Sequence, residues 1–431
     1  MNEIGELLVS GDLHLGRPPS RIPDDRDEEA YSPATVWGHM VDEAVDREVD
    51  AVVLTGDVVD RKNQSLEAWG PLEAGLNTLN QEDIPVVLVS GNHDAGFLED
   101  MIDSYDFSDI RLLGRGGTWE RTDISLDGDP SVSLDGWSYP GPNHPRNPLE
   151  DYDLDPPEGP VLGVLHTQVD RPESGYAPVG TEDLKQSGLD GWLLGHVHTP
   201  GTVTENPPAF YPGSLQPLDP TETGPRGPRL VSIEASGSIQ VQPLPLATLE
   251  YAGVTVSASD CASPHDVLAA VQDRIEERMD QQPAGPNRDL VLVRLQVEGR
   301  TEHYETLTDE LDLEGRAFSL RNVDVRINRV STDIAPKLDL DELAEGTGPV
   351  AHLAGALAGV EQGQPDEAGE ALLKRLRSCW EQARNSPTYN PITEHRGPDE
   401  LEPEEDTLEQ MLLQQGRKVL HRLLKQKEDA S

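Results

Sequence analysis

Short apolar runs alternating with helix-spaced segments predict an α/β fold for the first half of this 431-residue chain, built on a mostly parallel sheet covered on both faces. A change of pattern at the Pro-punctuated stretch Gln242–Leu249 predicts a second, smaller α+β domain over 250–335. Beyond Pro336 the composition turns helical and acidic. In chain order, Leu7-Leu8-Val9 runs into Gly11, Ala51-Val52-Val53-Leu54 into Gly56, and Pro85-Val86-Val87-Leu88-Val89 into Gly91. Between them Ser32–Arg47 and Ser65–Leu79 carry helical spacing. Ile110–Leu113, Val161–Leu165, Trp192–Leu194 and Leu230–Ile233 read as further strands, and the Pro-, Gly- and Asp-rich stretch Asp127–Pro160 as long loops. In the second domain Gly253–Ser257, Leu290–Val297 and Asn322–Val330 read as strands and Pro264–Met279 as a helix. The last part is interrupted at Pro387–Pro403 and closes on an amphipathic helix over Thr407–Lys427, with Gly416 a candidate break. The division expected is therefore 1–249, 250–335 and 336–431.

Charge is the least ordinary feature. The chain has 34 Lys and Arg against 80 Asp and Glu, a formal net charge of −46, and only seven of its cations are lysine. The acids are spread over the periodic segments rather than collected in tails, so they do not mark disorder. They read as a surface adapted to very high salt, where charge is screened over only about 3 Å, and the expected source is a halophile. Net charge speaks to solubility and association rather than to fold, and it does not exclude a nucleic-acid substrate. There is no apolar run long enough to span a membrane, and Met1–Leu8 carries acids and no basic stretch, so no signal peptide is expected. The two cysteines, Cys261 and Cys379, are too few for a disulfide framework. A cytoplasmic protein without membrane contact is expected.

Five apolar runs deliver polar side chains at their carboxyl ends, where open α/β sheets gather binding groups. The first gives Gly11-Asp12-Leu13-His14, the second Gly56-Asp57-Val58-Val59-Asp60 and the third Gly91-Asn92-His93-Asp94. Val161–Leu165 ends in His166, and Trp192–Leu194 in Gly195-His196-Val197-His198. In extended chain Asp12 and His14 would point the same way, as would His196 and His198. Imidazole plus carboxylate without thiolate suits Mn, Fe or Zn better than a structural zinc or an all-oxygen calcium site. The ligands are too many for one ion. Two ions about 3.5–4 Å apart, sharing one carboxylate, would use them all, and such a pair is a device for phosphoryl chemistry. One such motif alone would more often be a turn or a packed histidine. Five in this order, each closing an apolar run, point to a site.

The succession Asp-x-His, Gly-Asp-x-x-Asp, Gly-Asn-His-Asp, His and Gly-His-x-His over Leu7–His198 resembles the calcineurin-like metallophosphoesterases. The continuation His14-Leu15-Gly16, then Tyr211-Pro212-Gly213-Ser214 and the hairpin-like Glu222-Thr223-Gly224-Pro225-Arg226-Gly227, resembles more narrowly the SbcD/Mre-type DNA exonucleases and their YhaO-like bacterial relatives. This resemblance implies a two-sheet metallophosphoesterase core with helices outside, a small α+β capping domain and a helical C-terminal region. It implies one metal held by Asp12, His14, Asp57 and His198, and a second held by the shared Asp57 with Asn92, His166 and His196. His93 would face the scissile phosphate, as transition-state stabiliser or general acid. Asp60 sits where archaeal and eukaryal Mre-type enzymes often carry His, which favours a bacterial-type enzyme. The expected role of Asp60, as of Asp94, is to support a ligating histidine from behind. Mn(II) is the expected metal, with Fe, Mg and Zn as alternatives.

The resemblance implies DNA as substrate, in DNA repair, although the chain has no basic patch of size. Arg17, Arg21 and Arg26, and Arg316, Arg321, Arg326 and Arg329 further on, are the candidate backbone contacts. His144 is the one further histidine placed to approach a substrate. At the carboxyl end Thr407-Leu408-Glu409-Gln410 is a capping-box pattern. After it Leu408, Met411, Leu412, Val419, Leu420, Leu423 and Leu424 fall on roughly one face, beside Arg417, Lys418, Arg422, Lys425 and Lys427. That face either packs on its own protein or, as the resemblance implies, docks on an SMC-like (SbcC-type) coiled-coil ATPase; a homodimer is also allowed. Two rivals share the metal motifs. A small-molecule or nucleotide phosphoesterase would leave the chain after Leu249 without a task, and a non-catalytic scaffold would have no need of His93.

Overall fold

The computed structural model describes residues 3–60, 66–105, 107–126, 131–234, 238–281, 285–384 and 405–429. Strands β1 (Glu3–Ser10), β2 (Ala51–Leu54), β3 (Val86–Leu88) and β4 (Ile110–Leu112) lie parallel and adjacent in that order. The crossovers run through α1 (Pro33–Arg47), α2 (Leu66–Gln81) and α3 (Phe97–Asp103). Helix α1 starts where the sequence asks it to. The Ser32 hydroxyl accepts from Thr35 N at 3.2 Å and Pro33 occupies the first turn, where a missing N–H costs nothing.

The runs are continuously apolar because both faces of this sheet are buried. Leu8, Val52, Leu54, Val86 and Leu88 pack on the helices through Val36, Met40, Leu72, Leu76 and Leu98. Leu7, Val9, Val53 and Val87 point the other way, onto a second sheet. Its strands are β5 (Trp119–Ser125), β6 (Ser131–Trp137), β7 (Val161–His166), β8 (Gly191–Gly195), β9 (Gly201–Glu205) and β10 (Pro208–Tyr211), with α4 (Thr181–Gln186) leading into β8. The spatial order is β5-β6-β7-β8-β10-β9. Leu134, Leu162, Val164 and Leu193 supply its half of the shared core, each fully buried side chain contributing roughly 1.5–3 kcal/mol. The chain then returns to the first sheet as β11 (Arg229–Glu234), antiparallel to β1, and β12 (Ile239–Pro243) at the edge.

Five strands of these two sheets, β5, β6, β9, β10 and β12, were not among the expected runs. The stretch Asp127–Pro160 was expected to be loop but contains β6, and Trp119–Ser125 pairs with it as β5. Both segments are short and rich in Ser, Asp and Thr. β6 pairs with both β5 and β7, and that pairing, not an apolar run, makes the two segments strands.

A third sheet, of order β13-β14-β16-β15, comprises β13 (Leu249–Ser257), β14 (Leu290–Thr301), β15 (Ala317–Leu320) and β16 (Val323–Pro336), with α5 (Pro264–Gln281) and α6 (Tyr304–Glu310) between its strands. The chain divides into two compact units. One is Met1–Gly253 with Glu276–Arg294 and Arg316–Asn328; the other is Val254–Ile275 with Leu295–Gly315 and Arg329–Ser431. The elements over 250–335 are thus distributed between both.

The second unit ends in α7 (Leu340–Ala344), α8 (Pro349–Glu361), α9 (Glu367–Arg384) and α10 (Glu405–Asp429); the Pro387–Pro403 interruption lies outside the described residues. Helix α10 runs unbroken through Gly416, where a Cβ would lie 2.6 Å from the Leu357 side chain. Leu413 and Leu420 pack with Ala354, Leu357 and Val360 of α8. Arg417 is buried, donating to Leu338 O at 2.6 Å and pairing with Glu361 at 2.8 Å. Much of the apolar face of this helix is therefore covered by its own chain. Leu420→Ala should destabilise the second unit by about 2–5 kcal/mol, seen as a lowered thermal transition, whereas Val419→Ala, on the exposed side, should shift it by no more than about 0.5 kcal/mol. Equal melting of the two variants would show that α10 does not rest on α8.

Candidate metal centre

The carboxyl ends of β1, β2, β3, β7 and β8 converge where the two sheets meet, and all the polar side chains expected there do meet. Asp12 and His14 do not use strand alternation. β1 stops at Ser10, and Asp12 (φ +49°), His14 (φ +47°), Asp57 (φ +50°) and His196 (φ +101°) all take left-handed backbone conformations. Each costs roughly 1–3 kcal/mol and persists only where its surroundings fix it. Here parallel backbone bonds do so, Asp12 N to Gly56 O and His14 N to Asp57 O, both 3.0 Å. Close approach also dictates two glycines. A Cβ on Gly91 would fall 2.2 Å from Asp57 Oδ1, and one on Gly195 would fall 2.1 Å from Thr55 O.

Asp57 is the hub. It is 2% exposed, its Oδ1 accepts from His93 N at 2.8 Å, and its Oδ2 lies 3.3 Å from His166 Nε2 and 3.9 Å from His14 Nε2. Burial alone would raise its pKa, but the charges of His166, His14 and His93 hold the carboxyl well below the usual range. On one side lie Asp57, His166 and His196, with Asn92 Oδ1 3.2 Å from His166 Nε2. On the other lie Asp12, His14 and His198.

The protonation geometry is that of a cation site. His166 Nδ1 donates to Thr55 O at 3.0 Å, so in the neutral ring Nε2 carries the lone pair. That nitrogen is faced by two oxygen acceptors, from Asn92 and Asp57. Acceptors gathered this way repel unless a cation lies among them or the ring takes a second proton. Burial opposes that proton, yet Asp57 drives the protein-only pKa of His166 up to about 9. Across the site His14 Nε2 and His198 Nε2 face each other at 3.0 Å. The residues present fit a pair of divalent ions. Burial and the neighbouring His166 charge push His196 down to about 3, which keeps its ring neutral.

The supporting groups were partly expected. Asp60 Oδ2 lies 3.6 Å from both His14 Nδ1 and His93 Nδ1, between the two rings. Asp94 touches no ring. Its carboxylate accepts from Gly91 N at 2.7 Å and Val58 N at 2.6 Å, joining the second and third ligand loops, and burial together with the Asp57 charge pushes its pKa up to about 7. Glu222 was read only as part of a hairpin-like segment. It is instead a buried acid in a turn, and its Oε1 accepts from His198 Nδ1 at 2.8 Å while Oε2 accepts from Ser214 Oγ and Leu218 N. Nothing in its sequence neighbourhood signals this role, because 24 residues separate it from His198. Arg226 donates to His198 O. Tyr176 lies against the His196 ring at 4.9 Å. His144 packs on Trp137 and joins none of the clusters.

Three of the arginines offered to DNA are engaged within the protein. Arg26 pairs with Asp324, Arg326 with Asp25 at 2.9 Å, and Arg321 with Asp280 at 2.6 Å.

Carboxylates and imidazoles converging from the strand ends of two facing sheets make this a metallophosphoesterase site. Residues 6–200 match the calcineurin-like phosphoesterase family, and the chain carries a domain of that family. It is 30% identical over 236 residues to the uncharacterized metallophosphoesterase YhaO of Bacillus subtilis, covering 53% of this chain and 57% of that one. It is 29% identical over 311 residues to the DNA double-strand break repair protein Mre11 of Haloferax volcanii, covering 68% of this chain and 62% of that one. The matches thus span less than two thirds of either relative's length. Among solved structures, the calcineurin-like phosphoesterase YfkN from Bacillus subtilis aligns over 56% of this chain and 89% of that one at 12% identity, with a TM-score of 0.36.

Removing the carboxylate behind His198 should loosen its ring. Glu222→Ala is expected to weaken Mn(II) binding about 10–100-fold, measured by calorimetric titration, and Glu222→Gln, which keeps an acceptor for Nδ1, to recover part of it. Unchanged affinity in Glu222→Ala would rule out the orienting role.

Proposed function

We propose that this chain is a two-metal phosphodiesterase acting on DNA, a Mn(II)-dependent nuclease of the Mre type that works with an SMC-like coiled-coil ATPase. The observation that carries the two-metal reading is Asp57, buried between two separate clusters of ring nitrogens and carboxylates. Asp12, His14, Asp57 and His198 would hold one ion, and Asp57, Asn92, His166 and His196 the other. When bound, such a pair supplies Lewis-acid polarisation of phosphoryl oxygens and a lowered pKa for water.

The chain's own groups do the rest. Glu222 and Thr55 O fix the protons of His198 and His166 on Nδ1 and leave each Nε2 as donor of electrons to the site. His93 is tied through its backbone to Asp57 and faces Asp60 with Nδ1. Its Nε2 is therefore the nitrogen left to meet the scissile phosphate and to carry a proton to the departing oxygen. The ring is a third exposed, as a group that meets substrate must be. DNA as the substrate is supported by the similarity to Mre11, a double-strand break repair protein. An ATPase docking on α10 would use its outward side, where Met411 (37% exposed) and Val419 (44%) stand near Lys418 and Arg422.

The protein with Mn(II) at high salt should degrade linear DNA, and EDTA should stop it. Hydrolysis of small phosphoesters with DNA untouched across salt and metal conditions would replace this reading with a small-molecule phosphoesterase. His93→Ala should retain both ions and lose roughly 10²–10⁴-fold in turnover, whereas Asp57→Ala should lose metal. Metal analysis of the two variants separates these roles, and loss of both ions from His93→Ala would overturn the assignment of His93.

A further inference from the structure

Arg229 opens β11, where it alternates with Val231 and Ile233. Its side chain therefore leaves the strand on the face that builds the core between the two six-stranded sheets. At that end the sandwich is open. Residues of β11 and β12 on one side and of β9 and β10 on the other line a cavity of ≈ 350 Å³, among them Arg229, Glu205, Phe210, Tyr211, Ile239 and Val241. Phe210 and Ile239 are continuous with the inter-sheet core, and Val241 is 36% exposed, one of four large apolar side chains this open among the described residues.

The guanidinium is half-buried and makes no hydrogen bond or ion pair among the described residues. Burial lowers its pKa, and no carboxylate opposes that shift, Glu205 included. Arginine keeps its charge at any accessible pH, so Arg229 brings to the cavity a cation that no carboxylate among the described residues pairs. A second buried arginine, Arg226, is itself pushed down by burial and feels the Arg229 charge, and its Nε has no partner. This is unusual in a chain with 80 acidic and 34 basic residues, where Arg121, Arg278, Arg288 and Arg326 are all paired with carboxylates.

We propose that this cavity binds a small organic carboxylate, whose anionic end is held by Arg229 and whose apolar body lies against Phe210, Ile239 and Val241. One planar guanidinium matches one planar carboxylate in charge and geometry, and Phe210, Ile239 and Val241 offer an organic carboxylate an apolar contact that a compact hydrated anion cannot use. The site stands apart from the phosphoesterase reading and is tested separately from it.

Calorimetric titration of the full chain uses benzoate as probe, benzyl alcohol as its uncharged counterpart and inorganic phosphate as a compact anion. Benzoate binding is expected to be saturable and to persist after EDTA treatment, which separates this cavity from carboxylate ligation at the metal centre. Benzyl alcohol and phosphate should bind at least about tenfold more weakly, the scale of one lost charge-assisted hydrogen bond. Arg229→Gln should lose about tenfold or more, and Arg229→Lys should keep most of the affinity. Val241→Glu, at the exposed rim where folding is not at stake, should abolish binding by placing like charge beside the anion. Equal affinity in the native chain and these variants, binding lost with EDTA, phosphate bound more tightly than benzoate, or no saturable heat would each overturn the assignment.

Discussion

A carboxylate buried at 2% exposure has to be surrounded by groups that offset its charge, and around Asp57 those groups come from both sheets. His14 and His93 arrive from β1 and β3 of the first sheet, His166 from β7 of the second. The two sheets must therefore bring the carboxyl ends of their strands to one place. Thr55 is the joint between them: its carbonyl accepts from His166 Nδ1, and its hydroxyl donates to Leu194 O at 3.2 Å. The approach is so close that Gly91 and Gly195 admit no side chain without striking Asp57 or Thr55.

Holding this geometry consumes stability that the rest of the domain supplies. Four site residues sit at positive φ, and several buried acceptors face one another. Against this stands a core whose central strands are buried on both faces, through Leu8, Leu54 and Leu88 toward the helices and Leu7, Val53 and Val87 toward the second sheet. Asp94 transfers that rigidity to the site. By accepting from Gly91 N and from Val58 N it fixes the second and third ligand loops to each other, so the histidines are placed by backbone and not by their own rotamers alone.

Charge is handled differently in the core and on the surface. The arginines near the first ligand loop are partly spent on internal acids, Arg26 on Asp324 and Arg326 on Asp25. Arg17 and Arg21 make no such pair among the described residues. A chain of net charge −46 repels polyanions at long range. Salt screens that repulsion over a distance that shortens as ionic strength rises. In the C-terminal helices Arg417 is buried against Leu338 O and Glu361, so part of the one basic run of the sequence serves packing.

The sequence by itself determined the parts whose signal is local. Apolar runs closed by glycine located β1, β2, β3 and β8, one closed by His166 located β7, and the polar residues at these run ends named Asp12, His14, Asp57, Asn92, His93, His166, His196 and His198 as one set, which the structure brings together. Helical spacing over Ser32–Arg47 located α1. Tertiary structure alone decided what depends on pairing across the chain. β5 and β6 are strands because they pair with each other and β6 with β7; their Ser- and Asp-rich composition reads as loop. Asp12 and His14 converge through left-handed backbone held by residues 56 and 57, where pleat alternation was the natural expectation. Glu222 became the partner of His198 through a separation of 24 residues that no spacing rule spans. The apolar face of α10 could suit a foreign helix or its own protein equally well from periodicity. Leu420 settled against Leu357 because periodicity records that a face must be buried, while only the folded chain supplies the surface that buries it.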